Sequence, residues 1–142
     1  MGLSPEIVEK IKNSFARQAM MATMQAAIAS IGRGAVDLTS PLPDSCKQQH
    51  GFGHAALTFG LGDSAAGYAA LTVMPPEAEV LTSEMKIHLL APCAGDQIKA
   101  RGRVIKPGKR LVIVQSDVFA ITGDKETHIA LMTGTMVPVL PK

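Results

Sequence analysis

The feature that most limits what this chain can fold into is the stretch Gln48 to Ala70, QQHGFGHAALTFGLGDSAAGYAA. Leu57, Leu61 and Tyr68 fall on it at helical spacing, and Ala and Gly fill nearly every other place. A helix with so few bulky side chains lets neighbouring backbone approach from all sides, so it is expected to be buried. Between Gly51 and Pro76 it carries one charge, Asp63. No lysine or arginine lies within a turn of that carboxylate. Burial would strip its hydration without local compensation, so it must find partners elsewhere or have its pKa pushed up.

Two readings of Asp63 follow. It is a structural carboxylate tied to Ser64 or to nearby backbone, or it is a general base or nucleophile. The residues before it favour chemistry. Gln48, His50 and His54 lie on an approach punctuated by Gly51 and Gly53, so polar groups converge where the helix begins. A helix start offers unpaired N–H groups and a positive dipole end, which suit a developing oxyanion.

Other function classes are excluded on simpler grounds. A net charge of +2 with 4% aromatic residues supplies neither the basic stripe nor the stacking rings of a nucleic-acid platform. Asp63 in the middle of the apolar run would cost about 2.5–3.5 kcal/mol inside a bilayer, so a membrane span is not expected. Cys46 and Cys93 are too few for a disulfide framework and read as reduced thiols, which with no leader in view points to the cytoplasm. Cys46, His50 and His54 have the i, i+4, i+8 spacing of ligands on one helix face, but Pro43, Gly51 and Gly53 break any helix there, and no metal is expected. No nucleophile-elbow, Walker or dinucleotide fingerprint is present, and Cys93 has no adjacent base.

The 142 residues (1–142) suffice for a single domain with a real core. Ser4 and Pro5 start an amphipathic helix carrying Ile7, Val8, Ile11 and Phe15 inward and ending near Arg17. Met20, Met21 and Met24 extend it or form a second turn, either filling gaps in the core or lining a channel. Two strands, Ala27–Ile31 and Ala35–Leu42, flank a Gly-Arg-Gly turn. After the central helix and Pro75-Pro76 come four strand-like segments: Val80–Leu90, Gln97–Lys106, Leu111–Ile121 and Thr127–Val137. The turns between them predict an antiparallel meander. The sum is an α+β domain in which a curved antiparallel sheet wraps one buried helix.

At Gln48, His54 and Asp63 the chain resembles the hotdog-fold thioesterases of the phenylacetate-degradation (PaaI-like) type. That family has a Gln or Asn, a His-Gly-Gly, and an Asp in the following helix nine residues after the His; here Gln48 precedes His54 by six residues and Asp63 follows it by nine. The segment Leu81–Asp96, LTSEMKIHLLAPCAGD, is similar to the family's strand, while Ala55-Ala56 replaces the Gly-Gly pair. The resemblance implies a hotdog fold and hydrolysis of an acyl-coenzyme A thioester. It implies that the N–H of Ala55 polarises the carbonyl with Gln48 and His54 assisting, beside Gly53. Asp63 would activate water or attack directly, and Thr82 would orient the water. It also implies a site shared between subunits, a homodimer as the minimum active unit, a homotetramer in solution, and no cofactor beyond the coenzyme A of the substrate.

Arg101, Arg103, Lys106, Lys109 and Arg110 crowd two strands and their hairpin. They guard a sheet edge, or they receive the coenzyme A phosphates, with Lys106, Lys109 and Arg110 as the candidates. The single tyrosine among many Met, Leu and Val residues hints at an aliphatic or mixed acyl pocket. Two rival functions share the fold: a non-catalytic acyl-thioester-binding module, and a dehydratase or hydratase, whose different His-containing motif is not found.

Overall fold

The structure is a computed structural model and describes residues 2–142. Helix α1, Pro5–Arg17, begins at Ser4, whose hydroxyl accepts from the N–H of Ile7, with Pro5 in the first turn. Gln18 leaves helical geometry and separates α1 from a short helix α2, Ala19–Met24. Met21 and Met24 are buried as core filler, whereas Met20 is exposed. Strands β1, Ala27–Gly32, and β2, Ala35–Pro41, form a hairpin. In β2 burial alternates, with Val36, Leu38 and Ser40 turned inward. A short turn of 3-10 helix at Asp44–Cys46 leads to α3, Ala55–Leu71, and then β3 (Glu79–Leu89), β4 (Gln97–Lys106), β5 (Val112–Thr122) and β6 (Lys125–Val139) follow.

All strand pairs are antiparallel, in the order β1-β2-β4-β5-β6-β3. This is the hotdog arrangement, a sheet curled along a central helix. It corrects the expected four-strand meander, since only β4, β5 and β6 follow one another. β3 pairs with β6 on the far edge. The turn at Ala94-Gly95-Asp96 is therefore part of a crossing connection, not a hairpin. Its backbone is satisfied along the way: the N–H of Leu90 bonds Ile129 O, that of Asp96 bonds Ile121 O, and Cys93 O accepts from Gly53. Turn chemistry marks where a strand stops; the partner is chosen by which residues face the helix.

Helix α3 lies on the concave face, against β4, β2, β5 and β3. Its small residues do what their size allows. A methyl on Gly102 of β4 would collide with the backbone of Ala65, so strand and helix meet almost backbone to backbone. Ala65, Ala66, Ala69 and Ala70 are fully buried there, together with Leu57, Leu61 and Leu71, each worth about 1.5–3 kcal/mol of burial. Burial is one-sided, however. Ala55 and Ala56 are exposed, and Phe59, Gly60, Asp63 and Ser64 are half-buried. Asp63 thus sits at the border of the core, not deep within it.

Candidate active site

The start of α3 is built by the loop before it. Gly51 takes a φ of +86°, which only glycine adopts freely, and the N–H of Gly51 bonds Gln48 O. The side-chain oxygen of Gln48 accepts from the N–H groups of His50 and Phe52. With the oxygen so used, the Gln48 NH2 is the end free to donate. Gly53 presses on Cys93, and a side chain at 53 would strike the Cys93 sulfur. His54 is the N-cap: its Nδ1 accepts from Ala56 N–H at 2.9 Å, so the proton of the neutral ring sits on Nε2. Leu57 and Thr58 bond His54 O. Among the described residues, the N–H of Ala55 has no acceptor. Gln48, Gly53, His54 and Ala55 line one cleft, with Thr58, Leu89 and Cys93. Cys93 is buried, and burial raises its thiol pKa against the opposing bonds from Thr58 and Gly53, so it is a poor nucleophile.

The middle of α3 builds a second cleft. Thr82 of β3 donates to Asp63 Oδ1 at 2.8 Å. A β-bulge between Thr82 and Glu84 sets this geometry. Before it Val80 and Thr82 face α3; after it Met85, Ile87 and Leu89 take over, opposite the inward residues of β6. The bulge therefore aims a hydroxyl at the carboxylate in an otherwise apolar phase. Desolvation by burial raises the Asp63 pKa, and the Thr82 bond lowers it by less. No cation pairs with Asp63 among the described residues.

One protomer does not bring the two groups together. Asp63 and Thr82 line a cleft with Ser14, Gln18, Ser64, Gly67, Tyr68, Leu71, Glu79, Val80 and Met136, and none of Gln48, His54 or Ala55 borders it. Ser14, Gln18 and Glu79 were not singled out from sequence, and Ser64, expected as a partner of Asp63, donates instead to Gln18 Oε1 at 3.4 Å. Ser14 of α1 and Gln18 just past its end stand four residues apart, as Ser64 and Tyr68 do on α3, and this spacing of polar residues was the available signal.

The basic cluster divides. Arg101 bonds Glu126 at 2.9 Å and lies 4.6 Å above the Phe119 ring, and Arg103 bonds Asp37 at 2.7 Å. β4 is an interior strand, so these arginines hold together the outer face of the sheet and guard no edge. Lys106, Lys109 and Arg110 are exposed, and Lys109 borders a separate cleft with Val73, Met74, Pro75 and Leu140 beyond the end of α3. Neither half of the site includes them. No helix among the described residues is long and apolar enough to cross a membrane, and none of their His, Cys, Asp and Glu side chains group to hold a metal.

The sequence pattern that defines the thioesterase superfamily matches residues 50–127, which include both the helix start and Asp63. A thioesterase family protein from Silicibacter pomeroyi is 39% identical over 95% of this chain and 99% of its own, with a TM-score of 0.93. The chain belongs to the thioesterase superfamily. It is a thioester hydrolase of the hotdog fold, and the fold recurs in other thioesterase-like proteins. The PaaI protein of the phenylacetic acid degradation operon of E. coli superposes with a TM-score of 0.85 at 21% identity, covering 96% of both chains. A thioesterase from Haemophilus influenzae gives 0.81 at 16% identity, covering 91% of this chain and 88% of its own. No curated protein sequence matches this thioesterase significantly.

Proposed function

We propose that this thioesterase hydrolyses acyl-coenzyme A with Asp63 as its base. The observation that carries the reading is the carboxylate itself: half-buried, without a cation, held by a hydroxyl, and with its pKa raised toward the range useful for proton transfer. The Thr82 bond occupies Oδ1 and leaves Oδ2 to accept a proton from water. The water oxygen attacks the thioester carbon, and the carbonyl oxygen becomes an oxyanion. The Ala55 N–H and the Gln48 NH2 are the donors suited to hold it. Collapse breaks the C–S bond, the departing thiolate takes the proton from Asp63, and a carboxylic acid and free coenzyme A result. Direct attack by Asp63 to give an anhydride, later split by water, uses the same groups.

Because base and donors line separate clefts, the reading requires a second copy of the chain. β3 is an edge strand with exposed Leu81 and Leu89, and antiparallel pairing of two such edges around a two-fold axis would bring Asp63 of one copy toward Gln48 and Ala55 of the other. Homodimers would then be the active unit, and pairs of them the expected tetramer. Exposed Lys106, Lys109 and Arg110 supply cations for the coenzyme A phosphates, and the free thiols Cys46 and Cys93 suit a cytoplasmic setting.

Thiol release from a panel of aliphatic and aryl acyl-coenzyme A thioesters, with wild type beside Asp63→Asn, tests this function. Release that disappears in the variant supports it. Saturable binding without release would instead make the protein an acyl-thioester-binding module.

A further inference from the structure

The cleft beside Asp63 is small and ends in polar groups that the hydrolytic reaction does not use. It holds about 200 Å³, room for roughly seven groups the size of a water molecule. That is enough for a short acyl group and far too little for coenzyme A, so the acyl end of the substrate is the part that enters. Leu71, Val80 and Met136 give it an apolar wall.

Opposite stands a chain of hydrogen bonds. Gln18 Nε2 donates to the Tyr68 hydroxyl oxygen at 3.0 Å, and Ser64 donates to Gln18 Oε1 at 3.4 Å. Tyr68 OH and Ser14 Oγ lie 3.1 Å apart. Tyr68 is 5% exposed, and Phe15 of α1 packs its ring at a centroid distance of 6.2 Å, so the phenol is fixed in place. Either hydroxyl can donate to the other, so the pair uses one of its two hydrogens and leaves the second over. Two donors remain without an acceptor among the described residues: the left-over hydroxyl hydrogen of the Ser14–Tyr68 pair and the second N–H of Gln18. Gln18 stands at the break between α1 and α2 and lines the cleft.

A neutral oxygen on the ligand, entering the cleft in place of solvent, suits those donors. Asp63, which has no cation beside it, borders the same cleft, so a carboxylate there would face a like charge, while Glu79 on the rim is paired with Lys10 at 3.8 Å. Building on the thioesterase reading above, we infer that Ser14, Gln18 and Tyr68 are specificity residues that select short acyl groups bearing a neutral oxygen, a hydroxyl or a keto group, away from the thioester. A site built to hydrogen-bond such an oxygen discriminates strongly against the analogue that lacks it, because its donors are then left unpaired.

The experiment compares kcat/KM for coenzyme A thioesters in which a hydroxyl replaces a methyl: 3-hydroxybutanoyl against 3-methylbutanoyl, and 6-hydroxyhexanoyl against heptanoyl. 3-Oxobutanoyl and succinyl thioesters complete the panel. Wild type should favour the hydroxyl member of at least one pair by about tenfold or more, with succinyl slowest. Which of 3-hydroxybutanoyl and 3-oxobutanoyl is faster then names the oxygen. In Gln18→Leu and, as a milder variant that keeps the ring packing, Tyr68→Phe, that ratio should fall by about tenfold. A purely structural role would lower both members of a pair alike and leave the ratio intact, which overturns the inference. So does a wild type that turns over both members equally. Absence of thiol release from every thioester overturns the hydrolase reading itself, and this inference with it.

Discussion

The start and the middle of α3 are two solutions to one difficulty, how to keep a polar group available at the edge of an apolar core. At the start, backbone geometry does the work. A capping histidine consumes the Ala56 N–H, a glycine loop consumes the Gln48 oxygen, and what remains is one unpaired N–H and one amide NH2. In the middle, a side chain does it, and a β-bulge on another element supplies its partner. The difference teaches which changes each half tolerates. The helix start keeps a backbone donor that most substitutions cannot remove beside the Gln48 side chain, whereas the middle depends on a single carboxylate that any substitution removes or displaces.

The contrast is broken most severely at Asp63. Asp63→Asn should lower turnover by about two to four orders of magnitude, read as thiol release. The fold should not suffer. The folded-state pKa of Asp63 is raised above its unfolded value, so between the two values the folded state binds more protons and stability falls as pH rises. Above that window the ionised carboxylate is a standing cost, which Asn lacks while still accepting from Thr82. A thermal melt at neutral pH should show Asp63→Asn as stable as wild type or slightly more so. A clear loss of stability with turnover retained would make Asp63 a structural residue.

The helix start needs a subtler change. Ala55 occupies the first helical position and His54 before it is extended, the setting in which proline is tolerated. Ala55→Pro deletes the free N–H and should cost about 10²-fold in turnover with the helix intact; Gln48→Ala should cost a comparable or smaller factor. Mixing Gln48→Ala with Asp63→Asn sharpens the comparison further. If base and donors come from different copies, mixed dimers contain one complete site, and activity should return to about a quarter of wild type after subunits exchange. No recovery would put both groups of a site in one chain.

Much of this was legible in the residues. Ser4-Pro5 announced α1, the alternation Val36, Leu38, Ser40 announced β2, and Gln48, His54 and Asp63, picked out by their spacing, line the two clefts of the candidate site. What was not legible shares a physical cause. The pairing of β3 with β6, the bulge after Thr82 and the outward-facing basic strands depend on sequence-distant partners that no local pattern encodes. The small residues of α3 were over-read in the same way. They report close approach, and the approach comes mainly from the sheet side, which leaves Asp63 at a border. Gly102 is where that approach is tightest. Gly102→Ala should destabilise the fold by about 1–3 kcal/mol or more in a denaturant titration, because neither backbone can retreat.

Thr82 gives the smallest effect and the most informative one, because it separates holding a carboxylate from creating one. Its hydrogen bond lowers the Asp63 pKa against the larger effect of burial. A base works only when ionised, so under the proposed reaction the rate should rise with pH along a limb set by Asp63, shifted upward by burial. Thr82→Val keeps the shape and removes the bond. The limb should then move to higher pH, and the plateau rate should fall by about tenfold as the carboxylate loses its fixed orientation. A limb that stays in place while the plateau falls would mean that Thr82 orients the attacking water and not the base. In that case the bulge of β3 would have been shaped around the substrate side of the reaction.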